Sequence, residues 1–169
     1  MSAPLNRATA EDLLYCEAHL LDEGVADPAA WQAWLALYTE AATFHVPAWR
    51  DETTPTSDPQ TELSLIWYHG RRNLEDRVWR ATSGLSVASS PPARVVHLIT
   101  NVRVDDAGAG IVCSTFTAHR YDRRADAAHV FFGRYRHRLV QIDGAWRIAA
   151  KTVWLLNDTI PTVLDFYHI

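Results

Sequence analysis

Histidines and cysteines are the residues of this sequence with the widest chemical range, and it contains eight of the first and two of the second. Cys16 and His19 lie on a predicted helix, but a four-ligand zinc site needs a second such pair, which is missing. The histidines on predicted strands lack the spacing of two histidines and a carboxylate around non-haem iron. No run of cysteine and histidine is typical of an iron–sulfur cluster. We therefore predict no metal site in this chain.

A general acid/base site is the enzymatic chemistry that the remaining residue types allow. Strand alternation places Tyr135 and His137 on one side of their strand, and His119 with Thr115 and Thr117 on one side of another. If both sides face the interior, His119, Tyr135 and His137 line a pocket in which a proton can be abstracted and returned. The alternative is that these histidines are hydrogen-bonded core or rim residues. It is favoured because the sequence places no carboxylate beside them.

Residues 129–156 contain two alternating runs joined by Asp143 and Gly144, a strong hairpin signal. One side of the first run carries Phe131, Tyr135 and Leu139 with Gly133 and His137, and the other carries Arg134, Arg136 and Arg138. Regular alternation in the second run places Trp146, Ile148, Ala150, Thr152 and Trp154 opposite Arg147, Ala149, Lys151, Val153 and Leu155. The hairpin is thus predicted to have one apolar face and one cationic face.

Two interpretations of the cationic face stay open. A solvated face is the commoner explanation of a charge row. Arginine is, however, favoured at interfaces, and Phe132 and Val140 share this side of the strand with the arginines. Contact with a partner is therefore the alternative hypothesis.

Composition limits the class of protein. A hydrophobic share of 48% and a charged share of 21% are ordinary for a globular chain. The formal net charge of −4 argues against broad nucleic-acid binding. The two cysteines form no disulfide framework, and no apolar run approaches the length of a membrane span. We expect a soluble cytoplasmic protein that binds neither nucleic acid nor membrane.

The first part of the chain has helical periodicity. Thr9 and Asp12 form a predicted capping box for a first helix that Gly24 ends, and Asp27 followed by Pro28 starts a second. The apolar face of the second helix is predicted to contain Trp31, Trp34, Leu35 and Tyr38. Residues 43–47 and 63–68 predict short strands around a loop at 49–60, residues 71–81 predict a third helix, and residues 89–92 predict a turn.

From residue 94 onwards the periodicity is that of strands. Four are predicted, at residues 94–104, 111–121, 129–142 and 146–156, and their short connections imply an antiparallel meander. Helices followed by an antiparallel sheet predict an α+β fold. We expect one domain over residues 1–169, with a helical part at about 9–82, a sheet at about 93–157 and a tail at 158–169. So apolar a tail is expected to dock rather than to fray.

Several motifs occur in an order that resembles a known family. They read FHVPAW, DPQTELSLIWY, LEDRVWR, PPARVVHLITNV and DGAWRIAAKTVWLLNDTIPTVLDFYHI. This succession is similar to the small (beta) subunits of aromatic-ring-hydroxylating dioxygenases, and most of all to the benzoate, toluate and anthranilate group. The similarity covers nearly the whole chain after its first few residues.

The resemblance implies a cystatin-like cone, as in nuclear transport factor 2 and scytalone dehydratase. It also implies a beta subunit without a cofactor, while an alpha subunit carries a Rieske [2Fe-2S] cluster and a mononuclear iron. Three copies of each subunit usually form the complex, and a separate reductase delivers electrons from NADH. The function expected is that of a non-catalytic subunit that supports assembly during dihydroxylation of an aromatic acid. A free-standing isomerase or dehydratase that uses the pocket histidines and Tyr135 is the alternative.

The resemblance assigns no catalytic residue to this chain. The matched His97 and Asn101 are expected to have structural polar roles, since they share one predicted side of a strand and can tie neighbouring backbone together. The candidate contacts to other subunits are Trp49, Arg77, Arg80, Arg134, Arg136, Arg138, Arg147 and Lys151.

Overall fold

The computed structural model describes residues 4–84, 92–161 and 163–169. Its elements are the helices α1 (Arg7–Gly24), α2 (Pro28–Ala36) and α3 (Arg71–Thr82), the strands β1 (Tyr38–Pro47), β2 (Ser64–His69), β3 (Arg94–Asp106), β4 (Ile111–Asp122), β5 (Ala127–Ile142) and β6 (Ala145–Leu155), and a C-terminal 3-10 helix (Phe166–His168). The helices pack on a six-stranded sheet. The predicted α+β class is confirmed. The predicted turn at residues 89–92 lies almost wholly outside the described residues.

Local capping sets the helix ends. The N-cap of α1 is Asn6, whose side chain accepts a hydrogen bond from the Thr9 backbone N–H at 3.0 Å, so the capping box predicted at Thr9 is wrong. Asp27 caps α2 as predicted and accepts from Ala29 N–H at 3.0 Å. Tyr38 does not continue α2, because the chain has already turned into β1. The carbonyl of Leu37 accepts from Ile148 N–H of β6 at 2.8 Å and fixes that turn.

The sheet has the strand order β2-β1-β6-β5-β4-β3. Strands β3 to β6 form the predicted antiparallel meander, with ends within a few residues of those predicted. The sheet is nevertheless larger than the four strands expected, because β1 joins β6 in parallel and β2 joins β1. Phe44 pairs with Lys151. Because these two residues are far apart in the sequence, no local pattern predicts their pairing.

A register shift in β6 changes which side chains face the helices. Arg138 pairs with Ala150, whereas the next residue of β5, Leu139, pairs with Ile148, so Ala149 is an extra residue in β6. Both Ile148 and Lys151 are therefore buried on the helix side. The regular alternation predicted for β6 is wrong at this point, while the alternation predicted for β5 is confirmed.

The C-terminal tail docks against the helices, as predicted. Phe166 and Ile169 are fully buried, and Phe166 stacks on Trp34 with ring centroids 4.9 Å apart. Arg77 Nη2 of α3 pairs with Asp165 Oδ2 at 2.6 Å. The C-terminal residues thus form part of the same hydrophobic core as the helices.

We expect Gly133→Ala to destabilise the protein. A Cβ at Gly133 would lie 2.0 Å from the Trp154 carbonyl oxygen, so β5 and β6 would have to move apart. Overpacking of this kind costs about 1–3 kcal/mol, and urea denaturation should show it as a lower free energy of unfolding. Gly108→Ala is the matched control, because its Cβ would meet only the Asp106 side chain at 3.4 Å. Equal stability of the two variants would contradict the close approach at Gly133.

The stability of the docked tail is expected to depend on pH. Burial, aided by the charge of Arg120, lowers the pKa of His168 to about 3. Because an unfolded histidine has a pKa of about 6.5, the unfolded chain takes up the proton first as the pH falls. Stability that is present above about pH 6.5 is therefore lost progressively down to about pH 3. From about pH 7 to about pH 5 this group should lower the free energy of unfolding by about 2 kcal/mol.

Urea denaturation at several pH values measures this loss. His168→Gln is expected to reduce the pH dependence, and His119→Gln, on an exposed strand position, is the control. Burial lowers the pKa of His45 and His137 as well, which adds pH dependence of the same sign in every variant. An unchanged pH dependence in His168→Gln would count against the effect.

Candidate functional site

The side of the sheet that points away from the helices is here called the outer face. It contains Val96, Leu98, Thr115, Thr117, His119, Val130, Phe132, Arg134, Arg136, Arg138, Arg147 and Trp154. Its two ends differ in character. Leu98, Thr117 and Phe132 lie side by side in register at one end, where Leu98 is 47% and Phe132 45% exposed. The other end is basic.

The basic end consists of three arginines on successive outward positions of β5. Arg134, Arg136 and Arg138 are exposed and alternate with buried neighbours, as the sequence predicted. Within the described part of the chain none of the three forms an ion pair. Arg147 pairs with Val140 on the same face and is half-buried, with its guanidinium donating to the Trp146 carbonyl at 3.2 Å. The outer face therefore combines cations that form no ion pair among the described residues with exposed apolar side chains.

Of the remaining candidate contacts, one is excluded by its position. Lys151 is 1% exposed and lies among core residues, so it cannot contact another subunit. The extra residue at Ala149 turns it inward. Trp49 is partly exposed and donates from Nε1 to the Leu155 carbonyl at 2.8 Å, Arg77 pairs with the tail, and Arg80 is exposed on α3.

The interior contains a cluster of polar groups around Glu17 of α1. Its Oε1 accepts from Tyr38 Oη at 2.5 Å and from Lys151 Nζ at 3.0 Å, and its Oε2 accepts from His137 Nε2 at 3.2 Å. Lys151 Nζ also lies 4.2 Å from the centroid of the Tyr135 ring. All of these residues are buried. One carboxylate thus joins a helix to three strands.

Burial and pairing have opposite effects on these groups. Burial raises the pKa of Glu17, but the charge of Lys151 and the hydrogen bonds from His137 and Tyr38 outweigh it and hold this pKa below its ordinary value. Burial lowers the pKa of Lys151 and of His137, against the attraction of Glu17. Burial and the Glu17 charge both raise the pKa of Tyr38. The cluster is a carboxylate–ammonium pair with two neutral hydrogen-bond donors, in which His137 Nδ1 has no partner among the described residues.

The pocket of His119, Tyr135 and His137 that the sequence allowed does not form. Ala118 pairs with Phe131 on the inner side of the sheet, so the next residue, His119, pairs with Val130 on the outer face. Tyr135 and His137 point inward, where His137 is fully buried. The alternation of side chains along a strand does not by itself show which of its two sides faces the interior of the protein. The acid/base arrangement is therefore absent.

The two polar residues matched by motif also lie on different sides. His97 Nδ1 lies 2.7 Å from Asp22 Oδ1, and its backbone N–H donates to Asp22 Oδ2 at 3.0 Å, which ties β3 to α1. Asn101 is exposed, with a φ of 55° at a register shift of β3, and donates from Nδ2 to Thr115 Oγ1 at 2.9 Å. Neither Asp22 nor the role of Glu17 was predicted from the sequence. A charged residue at Glu17, between Leu14 and Leu21 on an apolar helix face, was the available signal.

Metal-ligating side chains are not brought together. Among the residues described, no group of three or more His, Cys, Asp or Glu side chains is placed to hold a metal ion. The described residues therefore offer no ligand set for a Rieske cluster or a mononuclear iron. None of the described helices combines the length and apolar character needed to cross a bilayer.

We expect Glu17→Ala to be strongly destabilising. The substitution leaves the Lys151 ammonium buried without its partner, which costs about 3–5 kcal/mol in comparable sites. Urea denaturation measures the loss, and the double variant Glu17→Leu with Lys151→Met should recover much of it. Glu11→Ala on the same helix removes only an exposed pair with Arg7 and should cost less than about 1 kcal/mol. Similar losses for the two alanine variants would contradict the role given to Glu17.

Comparison with known proteins agrees with these features. The family model described as ring hydroxylating beta subunit matches residues 16–162. The chain is 38% identical over 158 residues to the toluate 1,2-dioxygenase subunit beta of Pseudomonas putida, covering 94% of both chains. It is 37% identical over 157 residues to the benzoate 1,2-dioxygenase subunit beta of Acinetobacter baylyi, covering 92% of this chain and 89% of the relative.

Solved structures show the same relationship. The beta subunit of benzoate 1,2-dioxygenase from Burkholderia mallei superposes with a TM-score of 0.79 at 32% identity, over the full length of both chains. An NTF2-like protein from Exiguobacterium, with a TM-score of 0.57 at 15% identity over 87% of this chain and 99% of that one, shares the fold alone. The expected cone fold is confirmed. Because the family model and these relatives each cover most of its length, the chain belongs to the family of ring-hydroxylating dioxygenase beta subunits.

Proposed function

We propose that this chain is the structural beta subunit of a dioxygenase that dihydroxylates an aromatic acid of the benzoate or anthranilate type. Relatives named for toluate and benzoate 1,2-dioxygenase support the substrate class. An alpha subunit provides the Rieske cluster and the mononuclear iron, for which the described residues here offer no ligand set. The proposed complex contains three copies of each subunit and receives electrons from NADH through a reductase.

The outer face is the observation that carries the assembly role. Three adjacent arginines without ion pairs repel one another, and a partner that brought carboxylates to them would turn this repulsion into attraction. The apolar end next to them exposes Leu98, Val130 and Phe132. Interfaces typically combine such an apolar patch with arginine, because the planar guanidinium can stay hydrogen-bonded while it is desolvated.

The buried position of the interior polar groups supports the same function. Glu17, His137 and Lys151 are buried, and His137 and Lys151 are both bonded to Glu17, so these side chains are not accessible to a substrate. His119, the other histidine of the alternative isomerase or dehydratase site, is on the outer face. The burial of these groups and the outward position of His119 support a function at the outward surface of the chain.

Co-expression with the large subunit of a benzoate- or toluate-type dioxygenase tests the proposal. The two proteins are expected to co-purify, with iron and aromatic-acid turnover in the complex and neither in the isolated chain. The double variant Arg136→Glu and Arg138→Glu should weaken association by about tenfold or more, because two contacts become repulsive. Size-exclusion chromatography with light scattering measures the assembly.

Arg123→Glu is the matched control, since Arg123 is exposed in the turn between β4 and β5, away from the arginines of β5. It should leave assembly intact. Turnover by the isolated chain would overturn the non-catalytic role. Full assembly of the double variant would show that the arginines of the outer face are not part of the interface. The subunit role itself is tested by the co-purification.

A further inference from the structure

A row of four paired residues crosses the outer face at the first of its arginines. Thr100 of β3 pairs with Thr115 of β4. Thr115 pairs in turn with Arg134 of β5, and Arg134 pairs with Trp154 of β6. Side chains paired in this way have Cβ atoms about 4.5–5.5 Å apart. Hydroxyl, guanidinium and indole groups are therefore presented side by side.

A cavity of about 730 Å³ lies against this row. Thr115, Arg134 and Trp154 line it, and it extends to Asn101 and Arg103 of the edge strand β3. The register shift of β3 and the left-handed backbone of Asn101 shape that end of the cavity. Its volume lies in the range of small-molecule sites, about 300–1,000 Å³.

The unpaired positive charge of this cavity belongs to Arg134. Arg7 and Arg103 also line it, but Arg7 pairs with Glu11 at 2.8 Å and Arg103 with Asp105 at 3.0 Å. Arg134 has no ion pair within the described part of the chain. The cavity thus carries about one unbalanced positive charge, which matches a monoanion better than a doubly charged phosphate.

We propose that this cavity binds a small carboxylic acid with a flat apolar body. The fork of the Arg134 guanidinium holds the carboxylate with two parallel hydrogen bonds, and the indole of Trp154 packs against the body of the ligand. Thr115, whose hydroxyl is already held by Asn101 Nδ2, limits the space beside the carboxylate. All of the lining residues belong to this chain, so the site can be studied without a partner.

Benzoate is the probe, because it joins one carboxylate to one aromatic ring. Titration of the full chain, followed by proton–nitrogen NMR, is expected to give saturable shifts of the Arg134 side-chain and Trp154 indole signals. Arg134→Gln should weaken binding by about tenfold or more, since it removes a charge-assisted hydrogen bond. Arg136→Gln is the matched control. It lies on the same strand and face but outside the lining of the cavity, and should bind benzoate within about twofold of the unmodified chain.

Neutral and ring-free analogues separate the two parts of the proposal. Benzamide and acetate should each bind at least about tenfold more weakly than benzoate. Arg134→Lys, which keeps the charge but not the fork, should bind with intermediate strength. Thermal melting confirms that each variant is folded. The proposal is overturned if benzoate gives no saturable shifts, if Arg134→Gln binds benzoate unchanged, or if benzamide binds as well as benzoate. None of these results depends on assembly with a large subunit.

Discussion

The fold depends on a carboxylate buried where a helix meets the sheet. Glu17 of α1 accepts hydrogen bonds from Tyr38 at the start of β1, from His137 of β5 and from Lys151 of β6. Removing two charges from water is expensive, and their attraction offsets that cost only where the geometry is good and the other lone pairs are satisfied. All partners of Glu17 must therefore be in place together, which fixes the position of α1 relative to three strands.

One extra residue in β6 makes this arrangement possible. Ile148 and Lys151 are three positions apart, so a regular strand would turn them to opposite faces. The bulge at Ala149 lets both point inward, Ile148 towards the core and Lys151 towards Glu17. It leaves Trp154 on the outer face beside Arg134. This single bulge thus determines which side chains of β6 lie on each face of the sheet.

The interior of the fold contains a buried ion pair and stacked aromatic rings. Function on a shared fold depends on sites and not on the architecture. In this chain the groups available to other molecules include those of the outer face: the arginines of β5, the apolar residues at its other end and the cavity between β3 and β6. The proposed function uses this face of the sheet.

Local sequence specifies the three helices, the meander of β3 to β6 and the inward and outward sides of β5, and the ordered motifs identify the family. These features depend on local periodicity, capping and turn residues, which a short stretch of chain encodes completely. Tertiary structure decided the parallel pairing of β1 with β6, the inward position of Lys151, the outward position of His119 and the partners of Glu17. Each of these depends on contacts between residues far apart in the chain or on one bulge that reverses alternation. These pairings and side-chain positions are set by packing and by the need to pair buried charges. They cannot be predicted from a local sequence pattern.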